Sequence, residues 1–327
     1  MSMPAPLRVG TRGSPMAVAQ AGLVADLITE RTGRAAELVR VTTFGDVSRA
    51  ELTQIGGTGV FVSGLRARLL AGEVDVAVHS LKDLPTADVD GIALAAVPTR
   101  DDPRDALITT DGAKLADLRA GARIGTGSPR RAAQLRLLRP DVTPVPVRGN
   151  AGTRLGKVGS GELDALVLGC AGLARIGRLE AIAQVFEPDE MLPAPGQGAL
   201  AVECLASAAG LCELLAAVGD PASRAAVTAE RSLLAALQSG CSAPVGAYAE
   251  HAAQAGAGPQ ARTVHLRAGV FDPGGGGAVR TSGSAEAAQA GSLGQHLARE
   301  LLHRGAGNYI GAPAERHSQP SNGGDPQ

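Results

Sequence analysis

Apolar positions recur along the chain in two rhythms. Leu7 to Arg12 is a short apolar run that ends in a glycine turn. Ser14 then stands where a helix N-cap belongs, Pro15 at the first helical position, and Met16, Ala19, Leu23 and Leu27 along one face, which predicts strand, turn and helix. The same grammar returns downstream. VGTRGSP from Val9 to Pro15, followed by Ala19 and Gln20, is echoed by IGTGSP from Ile124 to Pro129, followed by Ala133 and Gln134, with a turn one residue shorter. GEVD from Gly72 to Asp75, ahead of the apolar Val76 to Val78, is echoed by GELD from Gly161 to Asp164, ahead of Ala165 to Leu168. Two similar α/β halves follow, each read as βαβ units on a parallel sheet. Such sheets hold ligands beyond the C-terminal ends of their strands.

The halves differ between these markers: 58 residues separate Ser14 from Gly72, but only 33 separate Ser128 from Gly161. The surplus contains a glycine-rich stretch, Gly45 to Gly59, expected to be a mobile loop. Pro98 to Pro103 and Pro193 to Gly198 read as two crossings between the halves, an arrangement that can hinge. After Pro221 the pattern changes to a helix over 224–238, a Gly240-Cys241 turn, strands over 245–249, 263–271 and 278–282, and a helix over 287–304. Ala252 to Gly258 and Gly274 to Gly277 read as linkers or turns, and the Ser/Pro/Gly-rich end as a disordered tail. The expected division is a first domain of 1–98 with 199–217, a second of 99–198, a third of 218–312, and a tail of 313–327.

Composition narrows the function classes. The six aromatic residues, four Phe and two Tyr, cannot build a base-stacking platform, and a net charge of −1 argues against a general polyanion surface, so no nucleic-acid partner is expected. No stretch approaches 18 apolar residues and the start lacks the marks of a signal peptide, so the expectation is a cytoplasmic protein without membrane contact. The four cysteines, Cys170, Cys204, Cys212 and Cys241, show neither a CxxC pair nor a histidine at ligand spacing, so no metal site is expected. Cys170 is read as continuing an apolar strand, and Cys204 and Cys212 as buried.

Lysine is scarce, only Lys82, Lys114 and Lys157, so arginine carries the positive charge. It gathers at the glycine turns: Arg12 at the first, Arg130 and Arg131 at the second, Arg148 and Arg154 around Gly149, and Arg175 beyond the strand that ends near Leu168. Guanidinium groups bind carboxylate or phosphate bidentately, and helix N-termini attract anions, so the cluster is either a site for a ligand with several anionic groups or a solvated surface. A glycine-lysine look at Gly156-Lys157 fails as a phosphate loop, because Ala151 and Val158 stand where glycine and Ser or Thr are needed. Lys82 and Asp83 lie just past the strand Val76 to Val78, either as a salt bridge or as a cleft carboxylate able to stabilise a cation or move a proton. His79, inside the apolar run, is read as structural. Cys241, in the flexible SGCSAP turn, is either a reactive thiol or a bystander.

The stretches LRVGTRGSP, AVHSLKDLP, RDDPRDAL, GTGSPRR, VRGNAGTRL, LPAPGQGAL, AERS and GCSAPVGAYAE, in order from Leu7 to about Gly311, resemble the porphobilinogen deaminase family, also called hydroxymethylbilane synthases. The resemblance implies a transferase of tetrapyrrole and haem biosynthesis that joins four porphobilinogen molecules, with loss of ammonia, onto a covalent dipyrromethane primer, and then releases hydroxymethylbilane by hydrolysis. It implies two periplasmic-binding-protein-like α/β domains with a hinged cleft plus a small C-terminal α/β domain, acting as a monomer. It further implies a thioether from Cys241 to the dipyrromethane, and Asp83 as the carboxylate beside the pyrrole N–H groups that stabilises the azafulvene cation. Lys82, Ser80, Thr126, Ser128, Arg130, Arg131 and Arg154 are implied around the cofactor; Arg12, Ser14, Arg148, Arg154, Arg175, Phe61 and Gln197 around the substrate. Thr58, where the family often has lysine, and GSP at 127–129, where it often has SSL, depart from the pattern. The rival reading is a non-enzymatic two-domain binder of a small polyanion; the apparent lack of a signal peptide and the presence of Cys241 speak against it.

Overall fold

The computed structural model describes residues 5–41, 59–240, 243–253 and 262–310. The expected loop over 45–58, Cys241, the linker beyond Ala253 and the tail of 313–327 lie outside the described residues.

The first half contains β1 (Leu7–Arg12), α1 (Pro15–Thr32), β2 (Ala36–Val41), α2 (Gly59–Leu70), β3 (Val76–Ser80) and β4 (Ile92–Ala96). Ser14 caps α1, its hydroxyl accepting from the Ala17 N–H at 3.2 Å with Pro15 behind it, and Gly33 closes the helix in the left-handed region at φ 67°. The second half repeats the plan: β5 (Asp105–Ile108), β6 (Arg123–Thr126), α3 (Pro129–Leu138), β7 (Thr143–Pro146), α4 (Ala151–Gly159), β8 (Ala165–Gly169), α5 (Cys170–Arg175) and β9 (Ile182–Phe186). The chain then returns as β10 (Leu200–Leu205) and α6 (Ala209–Ala216).

The sheets run β2-β1-β3-β10-β4 and β7-β6-β8-β5-β9. The expectation of wholly parallel sheets is corrected: β10 is antiparallel to β3 and β4, and β5 to β8 and β9. Each antiparallel strand is the first strand after a crossing, so it is supplied by chain arriving from the other half, which local βαβ grammar cannot register. The echoed glycines have a packing reason. A Cβ on Gly10 would come 2.8 Å from Leu65 Cδ1, and one on Gly125 would come 2.5 Å from Leu163 Cδ1, so both strands lie where only backbone fits. The cores are aliphatic, with Val9, Val24, Ile28, Val76 and Val202 in the first and Leu107, Ile124, Leu135 and Val167 in the second, each such burial contributing ~1.5–3 kcal/mol.

The third domain is α7 (Pro221–Ala236), a three-stranded antiparallel sheet of β11 (Val245–Ala253), β12 (Arg262–Phe271) and β13 (Ala278–Glu286), and α8 (Ala290–His303). Both helices cover one face through Ala229, Leu233, Leu293 and Leu297. Several bounds shift from expectation. α7 begins three residues before Arg224 because Asp220 caps it, accepting from the Ser223 N–H at 2.8 Å, with Pro221 at the first position. β11 continues into the expected linker as far as Ala253, and β13 runs on to Glu286. Cys170 does not continue a strand; β8 ends at Gly169 and Cys170 opens α5. Among the described residues no helix is long and apolar enough to cross a membrane.

Candidate functional site

The C-terminal ends of β1 and β3 face those of β6 and β8, with the two crossings beneath. After Ser80 the chain turns at once into a 3-10 turn, Leu81–Asp83, which buries Leu81, half-buries Lys82 and exposes Asp83. An apolar anchor thus fixes two charged neighbours on the rim.

Beneath them lies a network that spans both halves. Gln197, on the second crossing and only 2% exposed, donates through Nε2 to the Pro103 carbonyl at 2.6 Å and to Asp105 Oδ1 at 2.8 Å. Its Oε1 accepts from Lys82 Nζ at 3.3 Å and from Arg131 Nη2 at 3.2 Å. Asp105, fully buried at the start of β5, holds both arginines of the second turn: Arg131 through Nε at 3.0 Å and Nη2 at 2.7 Å, Arg130 through Nη1 at 2.8 Å. Burial alone would push the Asp105 carboxyl up, but Arg130 and Arg131 outweigh it and hold it below the usual carboxylate range. One carboxylate facing two guanidinium groups leaves a net positive charge under the cleft.

That charge reaches Lys82. Burial lowers its pKa to about 8, Arg131 and Arg130 adding to the effect while Asp83 and Asp105 oppose it. Burial likewise lowers Arg154, again with Arg131 adding and Asp83 opposing. Arg154, on α4, has a buried Nε without an acceptor, and its guanidinium lies about 3.9 Å from where a Cβ on Gly127 would sit. That Cβ would also come 2.9 Å from the Val147 carbonyl oxygen, which accounts for glycine at this departure from the family pattern. Arg148 is exposed, and among the described residues neither it nor Arg154 has a carboxylate partner.

The other sequence-predicted residues divide. Ser128 caps α3, its hydroxyl facing the Arg131 N–H at 3.5 Å, and the buried Thr126 hydroxyl accepts from the Ser128 N–H at 3.2 Å. Arg12 and Ser14 stand at the end of β1, and Ser80 at the end of β3. Arg130 also donates to the carbonyl of Leu192, whose side chain packs against Phe271 of the third domain. Arg175 is tied to both crossings, binding Asp101 Oδ2 at 2.7 Å and the Gly198 carbonyl at 2.6 Å. Phe61 falls on α2, with its side chain outside the described residues. His79 is buried beside Glu203 of β10, Nε2 to Oε2 3.3 Å, with Arg66 on the other side of the carboxylate at 2.6 Å.

Sequence reasoning missed Asp105 and the junction with the third domain. The only signal for Asp105 is a carboxylate at the head of an apolar run in RDDPRDAL, which contains three aspartates that sequence does not rank. At the junction, Glu230 of α7 is fully buried and accepts from Arg100 of the first crossing at 2.7 and 3.1 Å, from the Gly196 N–H of the second at 2.6 Å, and from the Ala249 N–H of β11 at 2.7 Å. Its neighbour Arg231 donates to the Leu84 and Pro85 carbonyls, both at 2.8 Å, directly behind Asp83.

Comparison with known proteins matches residues 7–213 to the family profile "Porphobilinogen deaminase, dipyromethane cofactor binding domain", and 224–303 to "Porphobilinogen deaminase, C-terminal domain". The chain belongs to the porphobilinogen deaminase family. Curated porphobilinogen deaminases are similar over nearly the whole length: that of Thermobifida fusca is 56% identical over 313 residues, covering 93% of this chain and 96% of that one. Porphobilinogen deaminase 1 of Streptomyces coelicolor is 53% identical over 319 residues, covering 94% and 98%. Among solved structures, a periplasmic substrate-binding protein from Coxiella burnetii aligns at a TM-score of 0.42 and 15% identity, over 69% of this chain and 96% of that one.

The dipyrromethane cofactor of porphobilinogen deaminases carries carboxylates on its rings, and the described residues fit such a group. Among the described residues the buried Nε of Arg154 has no acceptor, Lys82 Nζ bonds the neutral amide of Gln197 rather than a carboxylate, and Arg148 makes no ion pair, so these three cations are open to anions.

Proposed function

We propose that this chain is a hydroxymethylbilane synthase whose cleft works through Asp83, Lys82, Arg131, Arg148 and Arg154, with Cys241 as the point of cofactor attachment. The observation that carries the assignment of roles is one exposed carboxylate, Asp83, whose charge reaches Lys82 and Arg154, two cations that make no ion pair among the described residues. When bound through Cys241, the dipyrromethane supplies the nucleophilic pyrrole carbon from which the chain grows. Lys82 and Arg154 take carboxylates of the cofactor and, together with Arg148, the acetate and propionate groups of the incoming porphobilinogen, with Arg12, Ser14, Ser80, Thr126, Ser128 and Gln197 on the surrounding walls. Asp83, acceptor-only when ionised, offsets the positive charge that develops as ammonia leaves the substrate. Arg130 and Arg175 act as positioning residues, the first through Asp105 and the second through Asp101 and the crossing at Gly198. The reading includes the domain division given by the sequence and a monomer working in the cytoplasm on a small molecule, without nucleic acid or membrane; light scattering on the purified protein checks the monomer.

Two measurements test the roles. The denatured protein should exceed its sequence mass by one dipyrromethane, and Cys241→Ser should remove the excess; an adduct mapped to Cys170, Cys204 or Cys212 would overturn the attachment site. Asp83→Asn should leave the melting temperature unchanged and slow single-turnover ammonia release ~10²-fold or more, and release near the wild-type rate would take Asp83 out of the chemistry.

A further inference from the structure

Two cysteines that the cleft does not use lie in contact. Cys204 is fully buried on β10, Cys212 half-buried on α6, and their sulfurs are 3.2 Å apart. The Cys212 thiol also donates to the Leu205 carbonyl at 3.6 Å. Both side chains belong to the aliphatic cluster between the first sheet and its helices, with Val202, Leu211, Leu214 and Val218 around them. Cys170, in the other half, packs instead in the cluster of Leu168 and Leu173.

We propose that Cys204 and Cys212 form a reversible dithiol–disulfide site that takes low-molecular-weight disulfides as its oxidant. The sulfurs need to approach by only about 1 Å to reach bonding distance, and they join a strand to the helix that follows it across a short connection. Burial, with Cys212 adding to it, raises the Cys204 thiol to about 12, so Cys204 stays protonated and Cys212, nearer to solvent, meets the oxidant first. The Cys212 thiolate attacks one sulfur of the disulfide RSSR, forming a Cys212–SR mixed disulfide and expelling RS⁻, which takes up the proton that Cys212 released. Cys204 then attacks Cys212 Sγ, its proton passing to the second departing RS⁻. Two protein thiols lose two electrons and two protons, and RSSR becomes two RSH. The pair lies in the cluster that packs α1 and α6 against the first sheet.

The test uses the full-length holoenzyme equilibrated with oxidised and reduced glutathione at a series of ratios. The expected result is a mass loss of two hydrogens and, in a non-reducing digest, a cross-link between the Cys204 and Cys212 peptides that dithiothreitol reverses. Cys204→Ser should instead accumulate glutathione on Cys212, and Cys212→Ser should give neither cross-link nor adduct on Cys204 while turning over normally. A stable glutathione adduct on Cys212 of the wild-type protein without any cross-link, or a pair that stays reduced in pure oxidised glutathione, would overturn the proposal.

Discussion

The two five-stranded sheets use the same device to different ends. Each carries a buried carboxylate on its antiparallel strand, Glu203 on β10 and Asp105 on β5, and each carboxylate holds two basic side chains, Arg66 and His79 in the first case, Arg130 and Arg131 in the second. Register separates them. Asp105 lies opposite Gly169, the last residue of β8, whereas Glu203 lies opposite Ala77, the second residue of β3. A carboxylate level with the C-terminal end of the neighbouring strand reaches the arginines of the second glycine turn; one placed deeper ties the sheet to α2. The same ion-pair chemistry is therefore part of the site in one half and part of the framework in the other.

The strongest way to break this comparison is Asp105→Asn. Removing one partner of a buried ion cluster costs ~3–5 kcal/mol, read by urea unfolding, and here turnover should also fall because Arg131 and Gln197 lose their common anchor. Normal kcat and KM in a folded Asp105→Asn protein would make the two carboxylates equivalent after all. Glu203→Gln is expected to cost a similar ~3 kcal/mol in stability while leaving kcat and KM within about twofold. Its pH profile sharpens the point. Burial raises Glu203, but Arg66 and His79 more than reverse this and bring it to about 2. Its contribution is complete above the unfolded value, about 4.3, and is lost as pH falls through about 2, so acid unfolding of Glu203→Gln should lack that portion.

A smaller effect is expected from Arg154→Ala, which breaks no protein ion pair. KM for porphobilinogen should rise ~10-fold, about 1.4 kcal/mol, with the urea midpoint unchanged; a loss of stability instead would place Arg154 with the framework. Smallest is the pH response of Lys82. Its cation is lost as pH rises through about 8, so KM should climb above that pH, and Lys82→Arg, which stays charged, should flatten the rise. Because the unfolded lysine keeps its proton to about 10.4, the wild-type protein should gain stability between pH 8 and that value.

Local signals were the legible ones. Ser14-Pro15 and Ser128-Pro129 marked helix starts because capping is settled within four residues, and the two Gly-Glu-x-Asp turns marked the strands β3 and β8. Arg131 could be placed at the repeated glycine turn, Lys82 and Asp83 just past the end of an apolar run, and Arg154 at the turn around Gly149. What stayed hidden depends on residues distant in sequence. β5 and β10 become antiparallel only when the chain crosses to the opposite sheet, and Asp105 differs from Asp101 and Asp102 only in which of them a strand carries inside. Arg130 and Arg131 are adjacent, yet one turns to Leu192 and the other to Gln197, a distinction set by helical position on α3 and by what packs above it.

Glu230 grips both crossings and β11 at once, and this bears on how the molecule would move. If the two halves rotate against each other, they turn about the crossings, and a body fastened at an axle sweeps the smallest arc. The third domain is fastened there by Arg100 and Gly196 on the Glu230 carboxylate, which Ala249 of the same domain also holds, while Arg231 holds α7 to the backbone behind Asp83. In such a rotation the walls carrying Arg148 and Arg154 would swing at the rim, whereas the root of the cleft would keep its place. A polymer grown from such a root gains room at its far end with each added unit, without its first unit having to shift.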